Sequence, residues 1–146
     1  ANTLDFLNTI KGNYHLHKVT STQGPELKSC PTDIKIEFNE ERGELRLKNR
    51  ESNTLIDQFG SINKRGRVER TNEATWLETK TTLKRSVLTK RSRYCRGGFS
   101  KNCRGRKFRP KVSLLKISDE VVFNVYGKNH QLHSKCFYQR PNEIGF

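Results

Sequence analysis

Methionine occurs nowhere in the 146 residues, tryptophan once and proline four times. No apolar run approaches the ~18 residues that a membrane-crossing helix needs, so no transmembrane segment is expected. Apolar residues make up only 32% of the chain, against 30% charged. A compact helical protein would be short of apolar surface at that level; β-structure with a thin or partly polar interior suits it better. The most informative absence is local. From Lys80 to Lys111 there is no Asp or Glu, yet 13 of the 29 Lys and Arg fall there. The rest of the chain is almost balanced, 16 basic residues against 15 acidic, so nearly all of the +14 net charge sits in one stretch.

Motifs of catalysis are also missing. There is no carboxylate pair, nucleophile elbow or phosphate loop, and Asp5, Asp33, Asp57 and Asp119 stand at turns and strand starts, where Asp is ordinary. The chain reads as a binding protein rather than an enzyme, with no cofactor expected. Its sequence pI of about 10 favours polyanionic partners: nucleic acid, lipopolysaccharide, acidic glycan or an anionic envelope surface.

Four cysteines, an even number, suit an oxidising compartment. The chain starts Ala-Asn-Thr, as a mature protein does after loss of a signal peptide, so a secreted or periplasmic location is expected. Of three possible pairings, the favoured one joins Cys95 to Cys103 as a local clip and Cys30 to Cys136 across the chain's ends. Loop entropy makes these worth roughly 2.5 and roughly 4.7 kcal/mol.

Residues 1–11 space Leu4, Leu7 and Ile10 three apart, a short helix that Gly12 stops. Strand alternation follows. Asn13–Val19 is a first strand, and Ile34–Phe38 with Glu44–Lys48 forms a hairpin around the turn ending at Gly43. Further strands are expected over 54–63, 67–70, 74–83, 121–126 and 131–140. Two basic arms, 84–96 and 104–118, flank Gly97-Gly98, which reads as a tight turn at a hairpin tip. Short turns throughout predict a single all-β domain over 1–146. The expected form is an antiparallel up-and-down barrel of about 8–10 strands with a short N-terminal helix, and a β-sandwich is the alternative. The segment 84–111 would project from it as a cationic hairpin.

Gly12-Asn13-Tyr14 after the short helix, with Arg140 at the end of the last strand, resembles the lipocalin-type (calycin) barrels. That family has Gly-x-Trp on its first strand and an Arg on its last that packs over the Trp. Here Tyr14 replaces Trp, and the family's Thr-Asp-x-Tyr is absent. The resemblance implies barrel closure through Gly12, Tyr14 and Arg140, and a cavity for a small apolar ligand.

The cationic arms carry the functional expectation. On a strand every second side chain shares a face, so basic groups line up about 7 Å apart, near the phosphate spacing of a nucleic acid strand. Arg91, Arg93, Arg96, Lys101, Arg104, Arg106 and Lys107 would supply charge, and Tyr94 and Phe99 contact area. A monomer is favoured. His130, His133 and Cys136 are three apart, but on a strand 133 faces away from the other two, so no metal site is expected. A small cationic ribonuclease is a further alternative. It would pair His15 or His17 with His130 or His133 as acid and base.

Overall fold

The computed structural model describes residues 3–21, 30–63, 67–127 and 130–141. The expected loop 20–32, the turns at 64–66 and 127–129 and the tail 142–146 lie wholly or largely outside them. Helix α1 (Thr3–Ile10) buries Leu7 and Ile10 and leaves Leu4 on its outer side. Ten strands follow: β1 (Gly12–Ser21), β2 (Asp33–Asn39), β3 (Glu44–Asn49), β4 (Leu55–Phe59), β5 (Arg67–Asn72), β6 (Thr75–Lys84), β7 (Val87–Arg96), β8 (Arg109–Ile117), β9 (Glu120–Tyr126) and β10 (Leu132–Gln139).

All neighbours in the sheet are antiparallel, in the order β4-β3-β2-β1-β10-β9-β8-β7-β6-β5. The all-β meander, the strand count and the short N-terminal helix match the expectation, and there is one sheet rather than the two of a sandwich. First and last strands pair, from His15↔Gln139 to Ser21↔Ser134.

Closure into a barrel is not observed, because β4 and β5 do not pair. The reason lies in β5. In β5 the sequence RVERTN offers only Val68 as a large apolar side chain, and it is itself exposed. Little burial would reward docking this strand on β4. The chain after β4 instead crosses to β6, where the Asn63 N–H donates to the Thr81 carbonyl and the Leu83 N–H to Asn63 Oδ1. Ile62, expected on a strand, lies in this crossing segment and is buried.

One core cluster joins α1 to the sheet. Leu7, Ile10, Tyr14, Ile34, Ile36, Leu45, Leu47, Phe59, Leu88, Leu114 and Tyr138 belong to it with almost no exposed surface. Leu88, Lys90 and Ser92 share one face of β7 by alternation, so this face turns from apolar to polar along the strand. Lys90 forms an ion pair with Asp57 of β4, its ammonium 5.9 Å from the Phe59 ring centre. This pair spans the unpaired seam. Both expected disulfides are present, Cys30–Cys136 and Cys95–Cys103, and suit an oxidising extracellular or periplasmic environment. Among the described residues, no helix is long and apolar enough to cross a membrane.

Candidate anion-binding site

The basic stretch is built into the sheet. Strand β7 pairs with β6 along its whole length, Lys84↔Val87 to Thr75↔Arg96. The two strands turn through Arg85 and Ser86, both at positive φ. The two expected arms do pair, but only from Val87↔Leu115 to Ser92↔Arg109. Beyond that, Arg93–Arg96 runs past the end of β8. The reversal is not a two-residue turn at Gly97-Gly98. It spans Gly97–Lys101, closed by an Arg96↔Asn102 bridge with backbone hydrogen bonds of 2.9 and 2.6 Å. Gly97 has φ +130, and a Cβ there would collide with the Ser100 carbonyl.

This loop is clamped from several sides. Cys95–Cys103 joins its base. Trp76 Nε1 donates to the Gly97 carbonyl at 3.0 Å, and Arg70 Nη2 donates to the Gly98 carbonyl at 2.7 Å. The Glu78 carboxylate, half-way along β6, accepts from Arg93 at 2.7 Å and from Lys101 at 3.0 Å. Burial pushes the Glu78 carboxyl up, but the hydrogen bonds and charges of Lys101 and Arg93 outweigh it and hold the group below the usual glutamate range. Arg93 also lies over the Phe108 ring, 4.3 Å from its centre. Glu78, Cys95 and Cys103 bring possible metal-ligand atoms within 4.8 Å, but both sulfurs are in the disulfide and the carboxylate already holds two cations.

Beside the clamp lies a cleft of about 360 Å³ lined by Ser92, Arg93, Tyr94, Gly105, Arg106, Lys107, Arg109, Lys111 and His130. No carboxylate lines it among the described residues. A bulge on β8 leaves Lys111 without a partner on β7, between Lys90↔Val112 and Arg91↔Pro110. His130 enters the wall at positive φ, its N–H donating to the Gly127 carbonyl at 3.0 Å. Arg106, Lys107, Arg109 and Lys111 are exposed, and none has a side-chain hydrogen bond or ion pair among the described residues.

The expected contact residues therefore divide. Arg106, Lys107 and Tyr94 line the cleft; Arg96, Arg104 and Phe99 are exposed around the loop. Arg93 and Lys101 are held by Glu78, and Arg91 Nη1 donates to Thr82 Oγ1 at 3.1 Å. Sequence reasoning left Arg109, Lys111 and the anchoring Glu78 out of the site and took His130 only as an acid–base candidate. The first two were legible as further cations past the turn; the others depend on strand register.

Of the expected acid–base histidines, His15 pairs across from Gln139, six residues along β10 from His133, and His17 falls at the register shift opposite Phe137 and Tyr138, at least four residues from it. His15 Nδ1 instead lies 2.8 Å from Asp33 Oδ1. At the helix end, Arg140 lies over the Tyr14 ring, but the barrel closure expected of Gly12, Tyr14 and Arg140 is absent, because the sheet stays open between β4 and β5.

Compared with protein-family models, curated proteins and solved structures, the chain matches none.

Proposed function

We propose that this is a secreted, non-catalytic binding protein that holds an anionic polymer or anionic envelope surface against the β7–β8 end of its sheet. One observation carries the reading. Arg106, Lys107, Arg109 and Lys111 share one cleft wall with no carboxylate in it and no ion-pair partner among the described residues. Like charges brought together repel, and a bound polyanion relieves that repulsion. The Glu78 clamp supports the same reading, because it fixes the loop while leaving the outer cations unpaired.

The test is elution from immobilised heparin in a salt gradient. A variant with Arg106, Lys107, Arg109 and Lys111 changed to Ser is compared with one carrying Lys11, Arg42, Lys84 and Lys116 changed to Ser. The two have equal net charge. Earlier elution of the cleft variant alone supports the site; equal shifts would mean that only total charge matters, and the proposal fails.

A calycin-like carrier is the second reading, favoured by Arg140 over Tyr14 and by the pairing of the first and last strands. A small apolar ligand would then need room among core side chains that are already almost fully enclosed. Solvent extraction of the native protein followed by mass spectrometry tests this, and an extract without an apolar ligand counts against it.

A further inference from the structure

Phe99 is fully exposed, at 105% of its reference surface, and lies at the apex of the loop Gly97–Lys101. A phenyl ring gains free energy from any apolar contact, so full exposure has to be enforced by its surroundings. Here the enforcement is visible. The loop base is fixed by Cys95–Cys103, by the Arg96↔Asn102 bridge, and by Trp76 and Arg70 on the Gly97 and Gly98 carbonyls. The ring is thus presented in advance of any partner, which lowers the ordering cost on contact.

Its electrostatic surroundings have one sign. Arg96 and Arg104 flank the loop, exposed and without side-chain partners among the described residues. Lys101 completes the group, tied to Glu78 at 3.0 Å, and no acid stands between Glu78 and Asp119. Tyr94, the other aromatic side chain exposed here, lines the cleft instead of the apex. So one apolar ring leads, and the cations follow at the loop's base.

We infer that the Phe99 loop inserts into the interface of an anionic lipid membrane. Phe99 would enter the headgroup–acyl boundary, and Arg96, Arg104 and the cleft cations would meet lipid phosphates. A bilayer accepts a convex apolar tip without a matching pocket and supplies anions around it. A sulfated glycan supplies the anions but no apolar medium for the ring. Single-stranded nucleic acid would favour rings ranged along a groove for successive bases. The inference rests on the polyanion reading and names its surface.

The test is co-sedimentation with vesicles of phosphatidylcholine alone and of phosphatidylcholine mixed with phosphatidylglycerol, beside heparin elution of the same samples. The native protein is expected to bind the mixed vesicles and not the neutral ones. Phe99→Ser is expected to weaken partitioning on the order of tenfold while heparin elution stays unchanged. In Phe99→Trp, the added indole is expected to be quenched by brominated lipid. Unchanged partitioning of Phe99→Ser, or an unquenched Trp, overturns membrane insertion while leaving polyanion binding in place. Weaker binding of Phe99→Ser to single-stranded oligonucleotide but not to vesicles overturns it in favour of base stacking. Failure on both heparin and vesicles removes the underlying reading as well.

Discussion

The Arg140 guanidinium lies over the Tyr14 ring, 4.9 Å from its centre, and joins the last strand to the first helix. Its Nη2 donates to the Thr9 carbonyl at 2.6 Å and its Nη1 to the Lys11 carbonyl at 3.2 Å. A cation here meets the negative end of α1, where carbonyls lack helical partners. Below it the Tyr14 hydroxyl donates to the Ile10 carbonyl at 2.7 Å. Burial pushes the Tyr14 phenol up, and the Arg140 charge pulls against that. Gly12 permits the approach, since a Cβ there would lie 2.5 Å from Arg140 Nη1. Arg140→Ala is expected to cost about 1–2 kcal/mol in urea unfolding, with Arg140→Lys recovering only part of it. A loss below ~0.3 kcal/mol would show that the contact carries no stability.

Glu78 sets an acid limit on the loop. Its folded value lies below the ordinary glutamate value of 4.5, so its contribution is complete above that pH and fades as pH falls through the lower folded value. Thermal midpoints are expected to hold between pH 7 and 5 and fall below about 4.3. Glu78→Gln should flatten part of that fall. The remainder belongs to groups such as Glu37, whose carboxyl is lowered chiefly by a hydrogen bond from Lys48. An acid limb identical in the native protein and Glu78→Gln would refute the assignment.

Gly97 and Gly98 are adjacent and unequal. Gly97→Ala meets the Ser100 carbonyl and a φ of +130, whereas a Cβ on Gly98 meets nothing within 4 Å. The first substitution is expected to cost about 1–3 kcal/mol and the second less than ~0.5. Urea midpoints decide it, and equal effects would mean the loop is not fixed as described.

The disulfides differ in span, 106 residues for Cys30–Cys136 against 8 for Cys95–Cys103. Replacing each pair by Ser should cost more for the wider one, by roughly 2 kcal/mol. Non-reducing peptide mapping should recover both links. A peptide joining Cys30 to Cys95 or Cys103 would overturn the loop geometry.

Lys90 and Asp57 answer each other across the seam, with about a fifth of each side chain exposed. Lys90→Ala and Asp57→Ala are each expected to destabilise by about 1–3 kcal/mol, and the double variant by less than their sum. Additive losses would show that the two do not interact.

Alternation and turn residues made the strands and the helix legible, because each is written in neighbouring residues, and pairing four cysteines as one local clip and one closure of the chain's ends made both disulfides legible. The Arg85-Ser86 turn was not legible, since neither residue favours the positive φ that both adopt. The open seam was hidden too. It follows from β5 having too little apolar surface to dock, which matters only once β4 is known to be its candidate neighbour. The basic stretch announced the site, yet its anchor did not, because register alone sets Glu78 opposite Arg93. The bulge at Lys111 and the His130 backbone likewise act through partners distant in the chain.

The pairing of β1 with β10 puts the chain's outer strands in the middle of the sheet and its mid-chain strands at the edges. Mechanically, tension applied at Thr3 and Pro141 would peel β1 from β10 one pair at a time, beginning near His15↔Gln139. The force would then reach the Cys30–Cys136 bond, which carries it directly from the stretch ahead of β2 to the middle of β10. The 106-residue span between those cysteines, with the cationic loop inside it, stays slack until that bond is reduced.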